Sequence, residues 1–468
     1  MNTMASHAPL HNRLFEDLSP GDRASLERSV TAADLQLLAI AAGDDGPPPP
    51  QRAGAGPASA SLPGAALVTA LLAALVNTRL PGPGSVLLGQ TLAFAAAVSV
   101  GDRLQASVSV QTLHADDRRL TLQARVLNQR EEAVAEGLLE VSAPRERIAW
   151  QPNRLPEVQL SESGAGLARL LAAVQPLGRI AMAVVHPCDA VSLCSALEAR
   201  NAGLIEPVLV GPRARLDAVA AAEGLSLQGL QVVDVPHSHA AAAEAAALAG
   251  RGTVQALMKG SLHTDELMGA VLQADAGLRT KRRASHCFLM HTPAYPRPFI
   301  ITDAALNIAP TLEHKADIVR NAIELARAIG VARPKVAILA AVETVSPQMP
   351  ATLDAAALCK MADRGQISGA DVDGPLAFDN AVSLAAARIK GIESPVAGQA
   401  DVLVVPDLES GNMLAKQLEY LGGAASAGIV LGARVPIVLT SRANGPESRL
   451  ASCALAVLLA HHYRTSPP

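Results

Sequence analysis

The chain has 468 residues and a formal net charge of -4; half of its residues are hydrophobic, yet it holds only one Trp, three Tyr and five Phe. That length exceeds one ordinary core, since domains run to roughly 100–200 residues. A weakly acidic balance with so little aromatic surface excludes a basic field for phosphate backbones and stacking platforms for bases, so no nucleic-acid partner is expected.

Mean hydropathy is positive, but the densest apolar run, Ala65 to Val76, is shorter than the roughly 20 residues a membrane span needs. No membrane partner is expected. The N-terminus lacks a basic stretch followed by an apolar one, so no secretory signal is expected either. The five cysteines (Cys188, Cys194, Cys287, Cys359, Cys453) are scattered without a CxxC pair. They are expected to be reduced thiols in a cytoplasmic protein. His237 with His239, and His461 with His462, lack ligand spacing, so no metal is expected.

In chain order, residues 43–63 are rich in Gly, Pro, Ala and Ser and predict a poorly ordered loop. Gly64 to Leu80 predicts one long apolar helix. Residues 83–142 alternate β-like runs with turns. Val108, Val110 and Leu113 precede the Asp-Asp-Arg-Arg turn, and Leu120, Leu122, Ala124 and Val126 follow it. That spacing predicts an antiparallel meander with one buried face. A long helix beside such a sheet is an α+β arrangement. A proline-rich, charged stretch comes next and reads as a linker.

From Gly178 onward, strands alternate with Ala-rich helices. The predicted strands are RIAMAVVH, EPVLVGP, VQALMKG, HCFLMHTP, RPFIITD, KVAILAA, DVLVVP and PIVLTS. Short continuous apolar strands of this kind predict a parallel α/β sheet covered on both faces. Ligands of such sheets sit at the carboxyl ends of strands. Four polar loops follow strands there: MKGSLHTDE, ITDAALNIAP, PDLESGN and TSRANGPES. Helix capping explains their Ser, Asp and Asn residues. It does not ask for Lys259, Arg442 or the Gly411-Asn412 step.

The segments LMKGSLHT, FIITDAALNIAPTLEHKADIVRNAI, DGPLAFDNA, ADVLVVPDLESGNMLAKQL and VPIVLTSRA resemble the phosphate acetyl/butyryl transferase family, with the butyryl branch the nearer. The resemblance implies a two-lobed α/β domain of isocitrate-dehydrogenase-like architecture with its site in the cleft. It also implies acyl transfer between coenzyme A, as substrate, and inorganic phosphate, with acyl-CoA and acyl phosphate as partners and no permanently bound cofactor. Ser441 then hydrogen-bonds the reacting thiol or tetrahedral centre, and Arg442 holds phosphate and oxyanion. The acetyl-type base is an aspartate seven positions after the serine. Ser448 stands there, so Glu447 is the candidate base. Lys259 assists the phosphate oxygens, and Asp303, Asn307, Glu409 and Asn412 line the cleft. The basic run Lys281, Arg282 and Arg283 reads first as a solvated face, and more sharply as a contact for the 3′-phosphate of coenzyme A.

Ahead of it, RLFEDLSPGDRASLERSVTAADLQLLAIAAGDD and the TRLPGPGS step followed by VGDRL resemble the MaoC-like enoyl-CoA hydratase family, a hotdog fold. The active family carries Asp and His in a GDxNPxH loop. Here Asp44 matches the aspartate, but the histidine position is Pro49, which has no ionisable group. No histidine lies between His11 and His114. Hydratase activity is therefore not expected. The implied organisation is a degenerate α+β hotdog domain at 1–145, a linker at 146–170 and the transferase domain at 171–468. Both families suggest a homo-oligomer. The alternatives are a non-catalytic acyl-CoA-binding regulator or scaffold, a bifunctional enzyme with residual hydratase activity, and a β-decarboxylating dehydrogenase, which would need clustered aspartates for a divalent ion.

Overall fold

The computed structural model describes residues 10–44, 62–151, 158, 165–439 and 444–468. The chain divides into two compact units, residues 1–160 and 161–468.

In the N-terminal unit, apolar residues recur at helical spacing in Leu62–Thr78, and Leu67, Val68, Leu71, Leu72, Leu75 and Val76 are all buried. They pack on one face of a five-stranded antiparallel sheet ordered Arg23–Ser29, Arg103–His114, Arg119–Leu127, Ala133–Ser142, Val86–Phe94. The predicted meander is present in register, with Val108 opposite Ala124 and Val110 opposite Leu122. Leu113 breaks the even spacing of Val108 and Val110. A bulge between Val110 and Thr112 absorbs the extra residue, and Leu113 still packs against the core. The edge strand Arg23–Ser29 is polar and has no buried residue, which is why no apolar pattern announces it. The pair Leu10–His11 and Ala149–Trp150 forms a small antiparallel sheet, and its second strand falls within the stretch read as linker. The poorly ordered loop expected at 43–63 lies mostly outside the described residues.

Among the described residues, the C-terminal unit holds one eleven-stranded sheet. Its order is Gln231–Asp234, Ile205–Gly211, Ile180–Val185, Ala256–Lys259, Ile437–Val438, Ala425–Leu431, Ser285–His291, Phe299–Thr302, Val402–Val404, Lys335–Leu339, Asp371–Leu376. Helices pack on it, and apolar clusters fill the layers between. The expectation of a parallel sheet is corrected at its centre. Ser285–His291 runs antiparallel to both Phe299–Thr302 and Ala425–Leu431, and Ala425–Leu431 is antiparallel to Ile437–Val438. The cause is connection length. The links 292–298 and 432–436 are shorter than the dozen or so residues a parallel crossover needs. Three strands absent from the predicted set complete the sheet. Gln231–Asp234 and Asp371–Leu376 are its two polar edges, and Ala425–Leu431 is a buried central strand. No described helix is long and apolar enough to cross a membrane.

Candidate active site

The parallel register Met258↔Val438 makes Lys259 and Leu439 neighbours where their strands end. After Lys259 the chain turns through Gly260. A Cβ there would lie 2.5 Å from the Val185 carbonyl oxygen, so only glycine permits the approach. Ser261 is then tied down. Its Oγ donates to the His186 carbonyl at 2.9 Å and accepts from the Cys188 N–H at 3.2 Å. Its Oγ also lies 3.1 Å from Nδ1 of His186, whose pKa burial lowers.

The opposite wall is the helix Leu408–Tyr420. Asp407 caps it by accepting the Ser410 N–H at 2.8 Å. Gly411 in its first turn meets the backbone of Asp303 so closely that a Cβ would stand 2.6 Å from that carbonyl oxygen. Asn412 Nδ2 then donates to the Ala304 carbonyl at 3.1 Å. The Gly-Asn step is thus a packing device that seats this helix on the end of the Phe299–Thr302 strand.

One face of the helix (Asn412, Ala415, Lys416, Glu419 and Tyr420) lines a cavity of about 700 Å³ together with Lys259, Ser261, His263, His286, Phe288, Leu439 and Asn444. His286 lies beneath it. Burial pushes its pKa down to about 4, Asp303 opposes that shift, and Nδ1 has no hydrogen-bond partner among the described residues. A second, mainly apolar cavity of about 570 Å³ lies alongside. Its walls include Leu167, Leu170, Leu289, Ala427, Glu447 and Ala451, and Glu419 lines both cavities.

The thiols of all five cysteines are raised, each chiefly by burial, and those of Cys287, Cys359 and Cys453 reach about 12. A thiol must ionise to attack. None of the five is among the residues that line either cavity.

The model for phosphate acetyl/butaryl transferase matches residues 238–457. A phosphate acetyltransferase of Rhizobium meliloti is 59% identical over 298 residues, which cover 64% of this chain and 94% of that protein. The chain belongs to the phosphate acetyl/butyryl transferase family. Within it, the crystal structure of a branched-chain phosphotransacylase from Enterococcus faecalis aligns with a TM-score of 0.54 at 31% identity, covering 60% of this chain and 99% of that one. A phosphate butyryltransferase of Clostridium acetobutylicum is 40% identical over 282 residues, which cover 60% of this chain and 93% of that protein. Over the first unit, an R-hydratase from Pseudomonas aeruginosa is 30% identical, covering 33% of this chain and all of that one, with a TM-score of 0.29.

Against the residues that the phosphate acetyl/butyryl transferase resemblance singled out, Lys259 and Asn412 share the larger cavity. Ser441 and Arg442 lie outside the described residues, but Leu439 and Asn444 on either side of that segment both line it. Glu447, in the first turn of Pro446–His462, is exposed and lines the apolar cavity. Glu409 is exposed in the first turn of its helix and lines neither.

Asp303 and Asn307 are buried behind Ala305 instead. Asp303 Oδ1 accepts the N–H groups of Ala305 and Leu306 at 2.9 and 3.0 Å, and Oδ2 accepts from Asn307 Nδ2. Asn307 also donates to the Ala284 carbonyl and accepts from Arg283 Nε. Arg282 pairs with Glu324, so two members of the basic run hold the fold together. Asp44 is exposed just beyond the left-handed Gly43 cap. Glu419 and His286 carried no sequence signal of their own. Glu419 stands seven residues after Asn412, and helical periodicity read on from that asparagine would have found it.

Proposed function

We propose that the chain transfers an acetyl or short-chain acyl group between coenzyme A and inorganic phosphate. The observation that carries this reading is the cavity at the strand ends of a family member. It gathers Lys259 and Asn412, and its rim includes both residues that bracket the Ser441-Arg442 segment.

The chemistry follows from the groups. The coenzyme A thiol loses its proton and attacks the carbonyl of an acyl phosphate. A C–S bond forms, the carbonyl oxygen takes up negative charge, and the bond to phosphate oxygen breaks. Arg442, proposed from the resemblance, offers a planar fork to the departing phosphate and the oxyanion. Ser441 guides the sulfur. Lys259 adds a point charge for phosphate oxygens, and Asn412 steadies the wall. Glu447 follows that segment in sequence order and lines the neighbouring apolar cavity, while Asp303 and Asn307 keep the surrounding loops in place. The pathway uses no bound metal or permanent cofactor.

The finer architecture is proposed as two lobes of isocitrate-dehydrogenase-like form that meet at this cleft, within a transferase domain at 171–468 joined by a linker at 146–170. The first domain, 1–145, is proposed as a hotdog domain of MaoC-like type without hydratase activity. Its long helix on an antiparallel sheet supports the form, and Pro49 at the motif's histidine position supports the inactivity. That domain serves assembly into a homo-oligomer. Val86, Leu88 and Leu138 lie exposed on the edge strand and its neighbour, at 56%, 52% and 42%. Free, buried thiols agree with a cytoplasmic setting.

The test is release of free thiol from acetyl-CoA or butyryl-CoA on adding phosphate. Arg442→Ala should abolish the release while leaving the circular dichroism spectrum unchanged. Binding of acyl-CoA without turnover by the unaltered chain would refute transfer and favour a regulatory protein.

A further inference from the structure

We propose that the Glu419 carboxylate takes the proton from the coenzyme A thiol, an assignment that rests on the acyl-transfer reading. Among the described residues that line the larger cavity, Glu419 is the one carboxylate. The other ionisable lining groups are Lys259, His263, His286, Lys416 and Tyr420. A lysine cation has no lone pair to accept a proton, and a phenol at neutral pH already holds its own. His263 is exposed, and burial makes His286 a weak base.

Geometry supports Glu419 in three ways. It projects from the same helix face as Asn412. Its Oε1 accepts from Ser426 Oγ at 3.1 Å and from Asn444 Nδ2 at 3.2 Å, which fixes the carboxylate in place. Its Oε2 has no hydrogen-bond partner among the described residues, so one oxygen is held and the other is available. Ser426 Oγ also lies 3.2 Å from Ser448 Oγ. Ser426 thus bridges the Glu419 carboxylate and the Ser448 hydroxyl, which stands on a different helix. Glu447 lines only the apolar cavity.

The step balances. The thiol proton passes to Glu419 as the sulfur forms its bond to the acyl carbon, and phosphate leaves with the electron pair of the C–O bond. In reverse, the neutral carboxylic acid returns its proton to the departing thiolate.

The test is the pH dependence of acetyl-CoA formation from coenzyme A and acetyl phosphate, the direction in which the thiol loses its proton, by the full chain, by Glu419→Gln and by Glu419→Asp. At pH 7, Glu419→Gln should lower kcat by about 100-fold or more, the scale of general base catalysis, with KM for coenzyme A within about threefold. Its residual rate should climb with pH toward the thiol pKa near about 8.5, and Glu419→Asp should restore part of the rate. A kcat within about threefold of the unaltered chain overturns the assignment. So does a change confined to KM, or a larger loss in Glu447→Gln. Should Glu419→Gln fail to fold, Ser426→Ala and Asn444→Ala each remove a donor from Oε1. Each should then move the acidic limb of the profile to higher pH, and an unmoved limb overturns the proposal. An unaltered chain that forms no acetyl-CoA defeats the acyl-transfer reading itself. Formation of acetyl-CoA by Glu419→Gln at close to the unaltered rate defeats only this assignment.

Discussion

Two side chains show how burial decides behaviour at the residue scale. His286 has a folded pKa of about 4, below the ordinary 6.5, chiefly because burial penalises its cation. The unfolded chain therefore binds the proton first. Stability from this group is fully present above pH 6.5 and is lost as pH falls toward 4, at about 1.4 kcal/mol per pH unit. We expect the urea midpoint of the C-terminal unit to fall between pH 6.5 and 4.5, and His286→Gln to flatten that slope. An equal slope in the variant would show that other groups carry it. Gly411 is the second case. A methyl group there meets the Asp303 carbonyl and Val405. Overpacking of that kind costs about 1–3 kcal/mol, more than the gain of up to about 1 kcal/mol from better helix propensity. Gly411→Ala should lower the melting temperature and slow turnover together, because the helix that carries Asn412 is displaced. A melting temperature at or above that of the unaltered chain would contradict the packing role.

The elements whose pattern follows from burial were legible in the sequence. The helix Leu62–Thr78 was, because six of its apolar residues face one core. Leu75 is fully buried there, so Leu75→Ala should destabilise the N-terminal unit by about 2–5 kcal/mol in denaturant unfolding. A loss below about 1 kcal/mol would place the residue outside a packed core. Strands such as Ile180–Val185 and Val402–Val404 were legible for the same reason. Arg23–Ser29, Gln231–Asp234 and Asp371–Leu376 were not, because edge strands bury little and carry polar residues. Strand direction was overlooked at Ser285–His291, although the short 292–298 connection already rules out a parallel return.

Across the whole molecule, the sequence showed the kind of chemistry more clearly than its geometry. Lys259 and Asn412 were legible because strand ends and helix starts gather ligand groups in α/β sheets. Asp303 and Asn307 have the same residue types in the same kind of loop, yet folding spends them on a buried hydrogen-bond network. Residue type cannot distinguish those fates, since only the folded chain decides which polar group meets a backbone donor. Glu419 was hidden for the opposite reason. On a helix surface it looks like any solvated glutamate until the neighbouring strand and Asn444 close around it. The hydratase motif's histidine position holds Pro49, so Asp44→Ala should leave thiol release within about twofold of the unaltered chain. A larger effect on transferase kcat would couple the two units.

Free thiol released by the purified full chain from acetyl-CoA, with and without phosphate, tests the central claim most directly. The account predicts release that depends on phosphate, forms acetyl phosphate in equal amount and disappears in Arg442→Ala. Thiol release at the same rate without phosphate, or no release while acetyl-CoA still binds, would contradict it.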